Sequence, residues 1–168
     1  VFRGDRAFSE PETQILRDFI INRNFKNVLH YHSFGNVYIH PFGDGSYPGA
    51  IDLMIYRGLA KDMSDFNNYN YGTGYETIGY TVNGDALDWT YGEQSIFTYT
   101  PEIGSTSNGF WPSENNIEIL CKNQFEPNKI FALTASSDFK IHSYSFTDEL
   151  ISGSTVNINL EILNRGLE

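Results

Sequence analysis

The chain has 168 residues, with 11 Lys and Arg against 21 Asp and Glu, for a formal net charge of −10. That balance lacks the basic face that non-specific nucleic-acid binding needs, and it argues against docking on anionic membranes. With 40% hydrophobic residues, 11 Tyr and 13 Phe, it has the composition of a folded, tyrosine-rich protein of one ordinary domain, and its single Cys121 excludes an internal disulfide and a cysteine zinc cluster.

No apolar run is long enough to cross a bilayer, and no signal peptide is visible. The chain begins at Val1 and not Met, so a longer parent is expected.

FSEPETQILRDFIINRN reads as a helix. Ser9 is expected as its N-cap, with Glu12 closing a capping box and Pro11 in the first turn. Ile15, Leu16, Phe19 and Ile20 form one apolar face. KNVLHYHSF and NVYIHPF read as strands, and GDGSYPGA between them and the next helix is a turn-rich loop. AIDLMIYRGLAKDMSDF reads as a helix, with Ile51, Ile55, Leu59 and Met63 at four-residue steps. NNYNYGTGY reads as a loop, ETIGYTV as a short strand, NGDALDWTYGEQ as a turn into a short helix, and SIFTYTPEIG as a strand. SENNIEILCKNQFEPNKIFALTAS reads as a last helix, interrupted near Pro127. Strands alternating with helices predict an α/β sandwich.

From about Asp138 the pattern turns to β only. Val156, Ile158, Leu160 and Ile162 alternate with polar residues, as in a half-buried strand, and LNRGLE ends it. The expected division is 1–137 for the α/β part and 138–168 for a β-hairpin, or the start of a β-sandwich module. There are no internal repeats.

Three of the four histidines lie in VLHYHSFGNVYIHPFG. His30 and His32 are two apart on a strand and so face one side, which suits a metal pair and equally suits two satisfied polar residues. His40 and His142 have no partner in sequence. Glu102 follows Pro101 at a strand end, where sites gather in α/β sheets, although a surface or capping Glu also fits. Tyr80 precedes a Gly-containing loop and can swing over a ligand or simply pack.

The order of these segments is more specific than any one of them. RGDRAFSEPET leading into a helix, then NFKNVLHYHSFG and PFG, then GYTVNGDALDWTYG, then FTYTPEIG, resembles the zinc carboxypeptidases of the carboxypeptidase A-like type. The resemblance runs from Val1 to about Ala135. It implies the second half of a catalytic domain with a mixed-sheet α/β/α sandwich fold. It implies that His32 is the third zinc ligand, with Phe34 as the aromatic that follows it. It implies that Glu102 is the general base, taking a proton from the zinc-activated water and returning it to the leaving amine.

The resemblance makes Tyr80 the mobile residue that closes over the substrate's last residue, and Leu87 the floor of the pocket for that side chain. Asp85, two positions earlier, would add tolerance for Lys or Arg, and Ser33, next to His32, joins the substrate-binding residues. Asn22–Asn24 looks like the family's carboxylate-gripping Asn-Arg pair but lies on the wrong side of the SEPE helix, so Arg23 reads as a turn residue.

The family's first zinc ligands come from a His-x-x-Glu motif. Position +3 is Ser33, Gly35, Gly43 and Ser145 after the four histidines, so the motif is absent. Zinc, with one of three expected protein ligands present, is therefore expected to need an N-terminal half of the domain, and apolar surface is expected where that half would sit. Three readings follow. One is a secreted or periplasmic exopeptidase acting on peptide or protein C-termini. The second is an inactive fragment or C-terminus-binding module. The third is an interaction domain of a larger secreted protein.

Overall fold

The structure, a computed structural model, describes residues 4–146 and 151–167. Arg3, which opens the RGDRAFSEPET motif, lies outside the described residues. The chain divides into two compact units, Val1–Ala132 and Leu133–Glu168.

In the first unit the element order is α1 (Pro11–Ile21), β1 (Asn27–Leu29), β2 (Val37–Ile39), α2 (Ala50–Ser64), β3 (Asn70–Gly72), α3 (Gly74–Ile78), α4 (Ala86–Gly92), β4 (Phe97–Glu102) and α5 (Glu114–Leu133), whose last residue crosses the division. The strands form one mixed sheet in the order β1-β4-β2-β3. β1 runs parallel to β4, β2 antiparallel to β4, and β3 parallel to β2. This is the expected mixed α/β class.

All three residues of β2 are buried, as in a strand covered on both faces. Val37 and Ile39 pack with Leu87 of α4 and Ile78 of α3. On the other face, the Tyr38 hydroxyl donates to Gln124 Oε1 of α5 at 3.1 Å and accepts from Asn67 Nδ2 at 2.7 Å. Tyr56 of α2, fully buried, stacks near Phe97, Tyr99 and His40. Its hydroxyl accepts from Thr98 N–H, and the Tyr99 hydroxyl donates to its carbonyl. Tyr38, Tyr56 and Tyr99 thus fill the core as aromatics and find partners for their hydroxyls, which burial requires.

Five local expectations are corrected. NNYNYGTGY is not all loop, since Asn70–Gly72 within it forms β3 against β2. α1 starts one residue later than a Ser9 cap would place it, because Glu10 before Pro11 is extended and becomes the N-cap. Ser9 donates instead to Glu10 Oε1, and the capping box with Glu12 does not form. In α2 the buried face is Tyr56, Leu59, Ala60, Met63 and Ser64, while Ile51 is 72% exposed. Four-residue steps overrun a 3.6-residue turn, so that row drifts off the buried face. ETIGYTV is not a strand: Thr73 and Glu76 form a reciprocal capping box that opens α3. Pro127 does not interrupt α5. Proline frees the carbonyl four residues back, and that carbonyl, of Asn123, accepts from Asn67 Nδ2 at 3.2 Å.

The second unit is an antiparallel ribbon of β5 (Phe139–Phe146) and β6 (Ile158–Asn164). Its open end is tied by Arg165 and Asp138, 2.6 Å apart. A bulge between Ile141 and Ser143 corrects the alternation, so Tyr144 and Phe146 pair with Leu160 and Ile158 on the face that carries Ile141 and Ile162. The expected half-burial of β6 is not found, since every residue of both strands is exposed. Residues 147–150, within the expected β segment, lie outside the described residues.

Candidate functional site

The site grows from the parallel contact between the chain after β1 and the end of β4. His30 N–H donates to Tyr99 O, His32 N–H to Pro101 O, and Ile103 N–H to His32 O, at 2.9, 3.0 and 2.9 Å. His32 and Glu102 form a parallel bridge, which sets two side chains 70 positions apart in sequence beside each other. His32 Nδ1 stands 3.7 Å from Glu102 Oε1, with the imidazole 63% exposed and the carboxylate 14% exposed. Burial pushes the Glu102 carboxyl above its ordinary value; His32 opposes that shift and Asp85 adds to it.

Both residues open onto a cavity of about 400 Å³. Its walls include Ile39, Ile78, Tyr80, Val82, Asp85 and Thr100. Tyr80 is 59% exposed and stands just past Gly79, the left-handed C-cap of α3. Asp85 is the N-cap of α4, its Oδ1 accepting from Leu87 N–H at 2.9 Å. Asp88, one turn on, accepts the Gly43 N–H with both oxygens at 3.0 Å and so holds the loop after β2 against the cavity.

Two of the sequence-derived candidates stand elsewhere. Leu87 is fully buried beneath Ile39 and Ile78, which line the cavity in its place. Ser33 is not among the cavity residues. His30 is half-buried, its Nε2 at 3.2 Å from Thr90 Oγ1. His40 is fully buried, with Nδ1 at 2.8 Å from Pro41 O, and His142 is exposed on β5 in the second unit. Arg23 folds back onto α1, its guanidinium 3.8 Å from the centre of the Phe19 ring.

Ile39, Ile78, Val82 and Thr100 were not singled out from the sequence. Ile39 and Thr100 meet only through the β2–β4 register. Thr100 carries a buried hydroxyl with no partner among the described residues.

His32 brings a largely exposed imidazole to the cavity beside the Glu102 carboxylate, and imidazole and carboxylate are both donor types that zinc accepts. Among the described residues no group of three or more His, Cys, Asp or Glu stands where it could hold a metal ion. Also among them, no helix is long and apolar enough to cross a membrane.

Residues 1–127 match the family model described as zinc carboxypeptidase. The chain is 30% identical over 130 residues to carboxypeptidase B of Homo sapiens, covering 73% of this chain and 31% of that protein. It is 33% identical over 142 residues to carboxypeptidase B of Astacus astacus, covering 79% and 46%. Its fold superimposes on the crystal structure of carboxypeptidase A from Helicoverpa armigera with a TM-score of 0.70 at 25% identity, over 80% of this chain and 36% of that one. The chain thus spans less than half the length of these relatives.

Proposed function

The chain belongs to the zinc carboxypeptidase family, and from that premise we propose that it is part of a secreted exopeptidase that removes C-terminal residues from peptides or proteins. One observation carries the reading: His32 and Glu102 lie 3.7 Å apart at a cavity that Tyr80 also lines.

In this reading His32 holds zinc through Nδ1, and the other ligands come from the part of the domain outside this sequence. Zinc, when bound, supplies acidity to a water and polarisation to a carbonyl. Glu102 accepts the proton of the attacking water at Oε1 and delivers it to the departing amine. Its raised basicity, set by burial, suits a group that must take and then release a proton. Tyr80 closes over the last residue of the substrate. Ile39, Ile78 and Val82 receive an apolar side chain there, and Leu87 backs them from below. Asp85, at the same wall, admits Lys and Arg.

The test is release of the last residue from peptides ending in Phe or Lys by the zinc-loaded full-length enzyme. Amidating the C-terminus should block release. Binding of the free C-terminus without release would turn the assignment to a binding module.

A further inference from the structure

The Tyr80 arm is fastened on both sides. Its upstream root is α3, whose capping box uses one oxygen of Glu76: Thr73 N–H donates to Oε2 at 2.9 Å, and Glu76 N–H donates back to Thr73 Oγ1 at 3.3 Å. The other oxygen serves a different purpose. Glu76 Oε1 accepts from the Tyr47 hydroxyl and from Arg57 Nη2, each at 2.9 Å. Tyr47 belongs to the loop after β2 and Arg57 to α2. A capping box closes without these two donors. Gly72 makes room for the carboxylate, since a Cβ there would lie 2.8 Å from Glu76 Oε2.

Downstream, Val82 N–H donates to Gly43 O at 2.8 Å. That approach needs glycine: a Cβ on Gly43 would lie 2.5 Å from Val82 Cγ2. Gly43 is itself held by Asp88. Between the two fastenings stand Gly79, at φ +82°, then Tyr80 and Thr81.

We propose that Glu76 is a positioning residue for substrate: held by Tyr47 and Arg57, it fixes the root of the Tyr80 arm and confines its excursion to Gly79–Thr81, so that Tyr80 stands over a bound C-terminal residue for more of the time. The proposal rests on Tyr80 being the residue that closes over the substrate. A half-exposed ion pair adds little to stability by itself. Here its effect is on the population of the closed arm, which scales apparent affinity directly.

The experiment uses the zinc-loaded full-length enzyme and the double variant Tyr47→Phe/Arg57→Gln. This removes both donors to Oε1 and leaves Glu76, the capping box and every cavity residue in place. Amide hydrogen exchange at residues 79–82 should quicken. KM for a peptide should rise about three- to tenfold while kcat stays within about twofold. Restoring the cation, with Lys in place of Arg at position 57, should recover part of the exchange protection and of the KM. Unchanged exchange at 79–82 would overturn the proposal. So would faster exchange with an unchanged KM in an enzyme whose KM does respond to Tyr80→Phe. If Tyr80→Phe itself leaves KM unaltered, the closing role of Tyr80 has failed and the proposal falls with it, whatever the exchange shows.

Discussion

His32 Nδ1 stands 3.7 Å from Glu102 Oε1 because a parallel bridge sets His32, in the chain beyond β1, beside the last residue of β4. The geometry separates two roles that one substitution can distinguish. Glu102→Gln keeps the shape and leaves the imidazole untouched, but cannot accept a proton. In the full-length enzyme kcat should fall by about 10²–10⁴-fold, the usual range for loss of a general base. Zinc content, measured by elemental analysis, should stay at the wild-type level. Undiminished turnover would remove Glu102 from the chemistry.

Asp85 has two features that Asn can divide. Its Oδ1 caps α4, and its charge faces the cavity. Asn caps a helix about as well as Asp but carries no charge. Asp85→Asn should therefore leave the melting temperature nearly unchanged. The kcat/KM for peptides ending in Lys or Arg should drop at least about tenfold, an effect of 1.4 kcal/mol in binding, while the value for Phe holds. An equal loss on both substrate types would mean that Asp85 shapes the pocket and does not choose its occupant.

The Glu76 network is sensitive to acid in a definite direction. Burial alone would raise the Glu76 carboxyl, but hydrogen bonds from Thr73 N–H and the Tyr47 hydroxyl, with the charge of Arg57 and a smaller effect of His40, outweigh it and hold the group below its ordinary value. A group whose folded-state value is lowered stabilises the fold fully above its unfolded value, about 4.3 for Glu. That contribution disappears as pH falls through the lowered folded-state value. Glu76→Gln resembles the protonated form. Wild type and variant should differ in melting temperature near neutral pH and converge on acidification. A gap that persists in acid would trace the difference to packing and not to charge.

Asn67 and Pro127 should be energetically coupled. Asn67 Nδ2 donates to the Asn123 carbonyl that Pro127 leaves without a helical donor, and also to the Tyr38 hydroxyl. Asn67→Ala should cost about 1–2 kcal/mol in urea unfolding, since it strips a bond from a buried hydroxyl and a carbonyl. In a Pro127→Ala background the helix can bond Asn123 itself, and the cost should shrink by about 1 kcal/mol. Strict additivity of the two substitutions would show that the freed carbonyl finds water instead.

Two Ser/Thr-x-x-Glu motifs show how far local sequence rules reach. SEPE at Ser9–Glu12 has the letters of a capping box, and so does TGYE at Thr73–Glu76; only the second forms. The difference is Pro11, which holds Glu10 extended and moves the helix start past Ser9. The motif is present in the letters at both places, and only the backbone before the proline tells the two apart. ETIGYTV carries β-branched residues that favour a strand, but the cap just before them decides for a helix.

The sequence by itself determined the mixed α/β class, the family, and the identities of His32, Glu102, Tyr80 and Asp85 as candidates, because these depend on residue type and order along one chain. Tertiary structure decided what those residues face. The register of β2 on β4 brings Ile39 to Thr100, the parallel bridge brings His32 to Glu102, and the packing of α4 under β2 places Leu87 beneath the cavity wall instead of in it. The buried face of α2 and the shared carboxylate of Glu76 belong to the same class. Each depends on contacts between segments distant in sequence, and no period or motif within a single segment encodes which neighbour it will meet.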